Sequence, residues 1–181
     1  MMKITQLCVL TLVAASAVLA AKNPMLGGHE MFPSRNIVQN ALNSDDHTTL
    51  VAAVKAAGLV DTLEGPGPFT VFAPTNEAFA KLPAGTVDTL LMTKNRSTLT
   101  KILTYQVVSG KMDTKEIARA IKAGNGKAEL TAVSGGKLWA SMHGSDIVLT
   151  DEKGGMAKVT ISNVFQSNGV IHVIDSVLLP N

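Results

Sequence analysis

The chain has 181 residues, 46% hydrophobic and 17% charged, with a formal net charge of +2. That is enough chain for one domain with its own core, and too much for a disulfide-stapled mini-protein. Seven aromatics (five Phe, one Trp, one Tyr) are few for a surface that stacks RNA, single-stranded DNA or sugars, and the near-neutral charge argues against a DNA footprint.

The first twenty residues read as a secretory signal peptide. Lys3 supplies the positive end, Ile4 to Leu19 is almost uncharged and apolar, and Val18-Leu19-Ala20 presents a cleavage position before Ala21. The apolar run is short for a membrane span, which needs about 20 such residues. Cleavage removes Lys3 and Cys8, the one cysteine, so the mature chain has no thiol for a disulfide, a nucleophile or a thiolate metal site. An exported domain without disulfides relies on packing, as is ordinary for bacterial periplasmic or secreted proteins.

Residues 21–35 mix Pro, Gly and polar types without a period and read as an irregular N-terminal segment; the domain itself is expected over 36–181. Ile37, Val38, Ala41 and Leu42 share one helical face. Asp45-Asp46-His47-Thr48 offers caps for a second helix, with Leu50, Val51, Val54 and Ala57 inward and Gly58 as its stop. Glu64-Gly65-Pro66-Gly67-Pro68 is a turn and 69–73 a short strand. Thr75 then caps a helix that buries Ala78, Phe79 and Leu82. Short helices are expected over 87–92 and 97–103, and a strand over 105–109. Asp113 and Glu116 resemble a capping box for a helix through Lys122, with Ile117, Ala118 and Ile121 inward. Strands are expected at 128–134, 137–142, 146–150, 157–164 and 169–179, the first two joined by a Gly135-Gly136 hairpin. Helices first and strands after describe an α+β domain. The last strand is apolar on both faces, which places it in the centre of the core.

Chemistry-bearing residues are sparse. His172, Asp175 and Ser176 invite a triad reading, but Asp175 alternates to the opposite face. Ser176 lies four extended residues from His172, roughly 13 Å at about 3.3 Å per residue. His172 and Asp175 are therefore read as structural polar groups, and no catalytic residue is assigned. His29, His47, His143 and His172 show no metal-ligand spacing, and Met25, His29 and Met31 are only a thin copper set. No metal or cofactor is expected. Eight basic residues against two acidic ones between Lys94 and Lys127 read as solvated helix faces, and Asn95-Arg96-Ser97 fits the N-glycosylation pattern.

Two longer segments go further. Thr70-Val71-Phe72-Ala73-Pro74-Thr75-Asn76-Glu77-Ala78-Phe79 resembles the first signature of the fasciclin (FAS1) family. Asn168-Gly169-Val170-Ile171-His172-Val173-Ile174-Asp175-Ser176-Val177-Leu178-Leu179-Pro180 resembles the second. Between them stands Tyr105-Gln106-Val107-Val108-Ser109-Gly110, where the family has its Tyr-His segment; Gln106 replaces the His and has no charge to change near pH 6 to 7.

The resemblance covers about Asn36 to Pro180 and implies a β-wedge or sandwich flanked by several short α-helices. It implies that Thr75, Asn76, Phe79, Tyr105, His172 and Asp175 hold the fold, and that Tyr105, Gln106, Val107 and Val108 form a possible interaction segment. The function it implies is an exported, non-enzymatic adhesion or interaction module in contact with protein or glycan at a cell surface or matrix. The expected location is the periplasm, the cell surface or outside the cell. No nucleic-acid partner and no transmembrane segment after signal cleavage are expected. The alternative is a carrier of an apolar small molecule such as a carotenoid or lipid, for which the aliphatic residues and six remaining Met would line a groove.

Overall fold

A computed structural model describes residues 22–181. The signal-peptide reading, with Lys3, Cys8 and the cleavage position, lies outside the described residues. Helices α1 (Ile37–Ala41), α2 (Thr48–Ala57) and α3 (Val60–Glu64) precede β1 (Phe69–Pro74). Then come α4 (Asn76–Ala80), α5 (Thr86–Leu91), α6 (Arg96–Tyr105), β2 (Val107–Ser109) and α7 (Thr114–Ala123). Five strands complete the chain: β3 (Lys127–Thr131), β4 (Lys137–His143), β5 (Asp146–Thr150), β6 (Met156–Gln166) and β7 (Gly169–Ile174).

The seven strands run in the order β2-β1-β7-β6-β5-β4-β3. Only β1 and β7 pair in parallel, with Phe69 opposite Gly169 through Pro74 opposite Ile174. A bridge between Val108 and Ala132 brings β2 back to the end of β3, so the sheet curls toward a barrel. The fold is thus α+β, a wedge of strands flanked by short helices.

Because side chains alternate along a strand, β1 and β7 serve two cores. Val71, Ala73, Ile171 and Val173 face the helical layer with Leu50, Val54, Leu99 and Leu103. Phe72 and Ile174 face the other way, into a core with Tyr105, Leu138, Ala140, Leu149, Ile117 and Ile121. The strand read as sandwiched is indeed central, although it ends at Ile174 instead of continuing to residue 179.

Several expectations change. Tyr105 is the last residue of α6 and Gln106 its C-cap, so the predicted strand begins only at Val107. Leu42 is half exposed, and Asn40 takes the inward position of α1. Asp113 caps α7 through the Glu116 N–H, but the Glu116 carboxylate pairs with Arg119, so no reciprocal capping box forms there. Ala118 is exposed, and Ile117 and Ile121 carry the buried stripe of α7. Asn36 and Gln39 build the reciprocal box instead, at α1. The β3–β4 connection is wider than two residues, since Thr131 pairs with Lys137. Gly58 stops α2 as read: it sits at φ 71°, and Leu59 N–H returns to the Val54 carbonyl at 3.0 Å. Helix α3, a single turn without a side-chain cap, carries no sequence signal.

The irregular segment is integrated into the domain. Leu26 and Met31 are buried in the helical-side core, and Asn23 exchanges two hydrogen bonds with the Phe165 backbone, at 2.6 and 2.8 Å.

Candidate functional site

The first motif ends in a clasp. Thr75 Oγ1 accepts the Ala78 N–H at 3.2 Å and caps α4. Asn76 reaches across to the start of α2: its Oδ1 accepts the Thr49 N–H at 2.9 Å, and its Nδ2 donates to the Asp45 carbonyl at 2.9 Å. An amide supplies both donor and acceptor, so one side chain caps a second helix from outside it. Asp45, Asp46 and His47 form a 3₁₀ turn before α2, and neither Ser44 nor His47 caps α2 by a side-chain bond. Phe79 is buried on the helical side.

The middle segment lies inside the fold. Tyr105, Gln106, Val107 and Val108 are all buried. Any contact made through these side chains would require the domain to open, and in the folded chain they are tied inward. The Tyr105 hydroxyl donates to the Lys137 carbonyl at 2.5 Å and accepts the Glu152 N–H at 3.1 Å. Burial pushes this phenol up to about 12, with the Glu152 N–H acting in the opposite sense. Its ring rests on Gly136, where a Cβ would come within 2.7 Å of Tyr105 Cε2; that close approach is why the loop carries glycine there.

His172 stacks on Phe72 with ring centroids 5.8 Å apart. A bulge in β6 puts Asn163 at φ 59° and presents its N–H to His172 Nδ1 at 3.4 Å. The proton therefore sits on Nε2, which donates to the Met112 carbonyl at 2.8 Å. Burial holds the ring below its ordinary 6.5 and keeps it neutral, against the opposing pull of the Met112 carbonyl. The Asn163 side chain also exchanges bonds with Thr114, at 2.9 and 2.8 Å, and so fixes the first turn of α7.

Asp175 lies past the strand end, where it accepts the Lys158 N–H at 2.9 Å and the Ser176 hydroxyl at 3.1 Å and pairs with Lys81 at 3.7 Å. His172 has both nitrogens engaged elsewhere, so these three residues do not assemble a nucleophile and base.

Sequence reasoning missed other structural polar groups. Buried Asn168 accepts the Ile37 N–H at 3.1 Å and donates to the Leu63 and Gly65 carbonyls, joining α1 and α3 to the start of β7. Buried Asp151 accepts the Gly155 and Leu179 N–H groups. Asn168 lies in the second motif and Asp151 opens the turn that ends in Gly154-Gly155, but nothing local marks Asn163.

Of the thin copper set, Met25 is exposed, Met31 is buried in the helical-side core, and His29 faces Asp45 at 3.3 Å. Among the described residues no group of three or more His, Cys, Asp or Glu converges, and no helix is long and apolar enough to cross a membrane. Basic residues of the 94–127 stretch are spread over separate contacts: Arg96 on the Ala57 carbonyl, Lys111 over Phe165 and Lys127 over Trp139. The Asn95 amide nitrogen, which glycosylation would take, donates to the Thr89 carbonyl at 2.6 Å.

The clasp itself borders an open pocket of about 120 Å³ lined by Asp46, Thr75, Asn76 and Glu77, and a more apolar space lies deeper in the domain. A cavity of about 40 Å³ lies between α1, α2 and the sheet, walled by Met31, Leu50, Val54, Val71, Leu103 and Ile171. Its lining includes three buried polar residues, Ser44, His47 and Gln106; Ser44 Oγ is paired with His47 Nδ1, whereas His47 Nε2 and Gln106 Oε1 have no partner. His47 was read as helix-cap chemistry, and its place beside a cavity carried no local signal.

The comparisons with known proteins agree with this architecture. The fasciclin domain model matches residues 45–180. Protein sll1483 of Synechocystis sp. is 46% identical over 144 residues, spanning 80% of this chain and 73% of the relative. A second Synechocystis protein, sll1735, is 44% identical over 147 residues, spanning 80% of this chain and 97% of the relative. The solved FAS1 domain pair of the insect cell adhesion molecule fasciclin I superposes with a TM-score of 0.70 at 18% identity, covering 80% of this chain and 51% of that one, and shares its fold. With the family model matched from the 3₁₀ turn before α2 to the penultimate residue, this chain belongs to the fasciclin (FAS1) domain family.

Proposed function

We propose that the protein is an exported, non-enzymatic adhesion or interaction module, working in the periplasm, at the cell surface or outside the cell through contacts with protein or glycan. The observation that carries this reading is family membership across residues 45–180. One structural relative sharing the fold is described as a cell adhesion molecule. The internal chemistry supports it: Tyr105, His172, Asp151 and Asn168 all spend their polar atoms on backbone groups of the same domain, which leaves recognition to the outer surface. Purified residues 21–181 should bind cells, matrix or a partner protein saturably. Retention no better than an unrelated domain of equal charge, across extracts from the host and from neighbouring cells, removes the proposal.

A second reading, carriage of an apolar small molecule, is favoured by the cavity under α1 and α2. Organic extraction of protein taken from its native host should then release a ligand, and a ligand-free extract counts against it.

A further inference from the structure

We propose that the outer face of α7 is an interaction surface for an anionic polysaccharide, gripped by Lys115, Arg119 and Lys122 along the helix and by Lys111 and Lys127 at its two ends. This rests on the adhesion reading and specifies the chemistry of its partner.

The basic stretch from Lys94 to Lys127 is densest on one helix. Lys115, Arg119 and Lys122 stand at i, i+4 and i+7 of α7, away from the buried Ile117 and Ile121. Their side chains therefore share one stripe, roughly 10 Å long at about 1.5 Å per residue. Lys111 precedes the helix and Lys127 follows it at the start of β3, and all five cations are exposed. Two carboxylates lie within the stretch. Asp113 caps α7 by accepting the Glu116 N–H at 2.8 Å, and Glu116 pairs with Arg119. A positive excess remains here, while the other described residues carry more acidic than basic groups.

Helix stability does not ask for this arrangement. The first turn of a helix favours a carboxylate, yet Lys115 stands in the first turn of α7; only Lys122, in the last turn, suits the dipole. Like charges three and four residues apart also repel. At each end of the helix a lysine ammonium lies over a half-buried aromatic ring. Lys111 sits over Phe165 and Lys127 over Trp139, each 4.9 Å from the ring centre. Such contacts are weak at exposed sites, so each ammonium can leave its ring for an anion. The uncovered ring then offers an apolar face to the C–H side of a pyranose.

The surface also discriminates between anions. A basic helix that seats in a bilayer carries bulky apolar residues beside its cations. Here the exposed residues between the cations are Glu116, Ala118, Ala123, Gly124, Asn125 and Gly126, and no exposed large hydrophobic falls between Lys111 and Lys127. An acidic polypeptide offers charge but no flat C–H face for the two rings. A small inorganic anion does not span the stripe. A linear chain of charged sugar rings meets the row of cations and the rings together, and for an exported domain such polymers are the ones at hand.

The test titrates purified residues 21–181 with polygalacturonate, dextran, poly-L-glutamate and phosphatidylglycerol vesicles, following the fluorescence of Trp139, the one tryptophan in the chain. Polygalacturonate should bind saturably and move that signal, dextran should not bind, and the other two anions should bind more weakly. Raising the ionic strength from about 10 to about 150 mM should weaken binding, because the screening length shortens from about 30 to about 8 Å. Lys115→Gln, Arg119→Gln and Lys122→Gln together place good helix formers at exposed positions, so the variant should fold and bind about tenfold more weakly. Lys22→Gln, Lys81→Gln and Lys158→Gln together remove as much charge from cations already paired with carboxylates and should leave affinity intact. Equal loss in the two variants, tighter binding of polyglutamate or vesicles, or no binding of polygalacturonate overturns the inference. Native protein retained by cells or matrix without competition from polygalacturonate also overturns it and leaves the adhesion reading standing. Polygalacturonate binding without retention by cells or matrix supports this surface and removes the adhesion reading.

Discussion

The two cores on either face of β1 and β7 are built by the same alternation yet finished differently. On the strand-wedge side, the large polar residues Tyr105 and His172 are fully buried, and every bonding atom on their rings has a partner. On the helical side, His47 is just as deep but leaves Nε2 unpaired beside an unfilled cavity. Both faces draw on the same two strands, so the contrast comes from what packs against them. The wedge is closed by strands and by α7 with its i, i+4 pair Ile117 and Ile121. The helical face is covered by α1, α2 and α6, and the cavity lies between them and the sheet. The difference separates a half that is filled from a half that keeps unfilled space.

The largest effects should come from the filled half. Tyr105→Ala removes a fully buried ring that packs on Gly136 and unpairs the Lys137 carbonyl and the Glu152 N–H. A loss of about 4 kcal/mol is expected in urea unfolding, and a loss under about 1 kcal/mol would show that this core is no better packed than the other. Tyr105 also predicts alkaline sensitivity. Its folded value is raised to about 12 from the usual 10, so its contribution is intact below pH 10 and is lost as pH rises toward 12. Tyr105→Phe should flatten that limb.

His172→Leu should cost about 2–3 kcal/mol, because it keeps the volume but strands the Asn163 N–H and the Met112 carbonyl. The histidine's acid dependence follows from its lowered value. Below the ordinary 6.5 the unfolded chain takes a proton that the buried ring refuses, so stability is present above pH 6.5 and falls as pH drops through the folded value. His47 is lowered by burial too and adds to the same limb. Denaturation profiles of native protein and His172→Leu between pH 4 and 8 should therefore converge toward acid. Parallel profiles would mean that His172 is not held neutral.

How much of this was readable in the chain depends on whether the signal is local. The alternation in residues 170–174 disclosed a strand with two apolar faces, and the interval from Asp113 to Gly124 disclosed α7. Tyr105 was assigned to a strand because the apolar run Val107-Val108 follows it, yet the turn of α6 continues through it; two short elements that abut leave no boundary residue. Asn163 is invisible because its left-handed backbone is imposed by pairing β6 with β7 across a bulge. The resemblance marks Asn76 as fold-holding, but no local pattern shows how, because its main bonds go to Thr49 and Asp45, far away in the chain. The emptiness beside His47 is a property of packed volume, and no one-dimensional pattern records volume.

Asn76→Ala tests the clasp between the two halves of the helical layer. It removes the cap on the Thr49 N–H and the bond to the Asp45 carbonyl, both partly open to water. A loss of about 1–2 kcal/mol is expected. Hydrogen exchange should quicken in the first turn of α2 while α7 stays protected. Uniformly faster exchange in both would place Asn76 in the global core.

The smallest change should be Val54→Phe, and its smallness carries the argument. Adding this much carbon to a well-packed interior costs about 1–3 kcal/mol through displaced neighbours. Val54 is buried, but it borders the cavity, so a phenyl ring can extend into existing space and recover apolar contact in place of strain. The two contributions oppose each other, and the net is expected within about 0.5 kcal/mol of zero. Ala140→Leu, a comparable enlargement at a fully buried strand position facing Leu138, Leu149 and Ile117, has no such space and should cost the full overpacking penalty. Chemical denaturation of the two variants side by side measures the difference between the cores directly. Equal losses would mean that the helical face closes over its cavity in solution, and then the unpaired Nε2 of His47 would need a partner from within the chain.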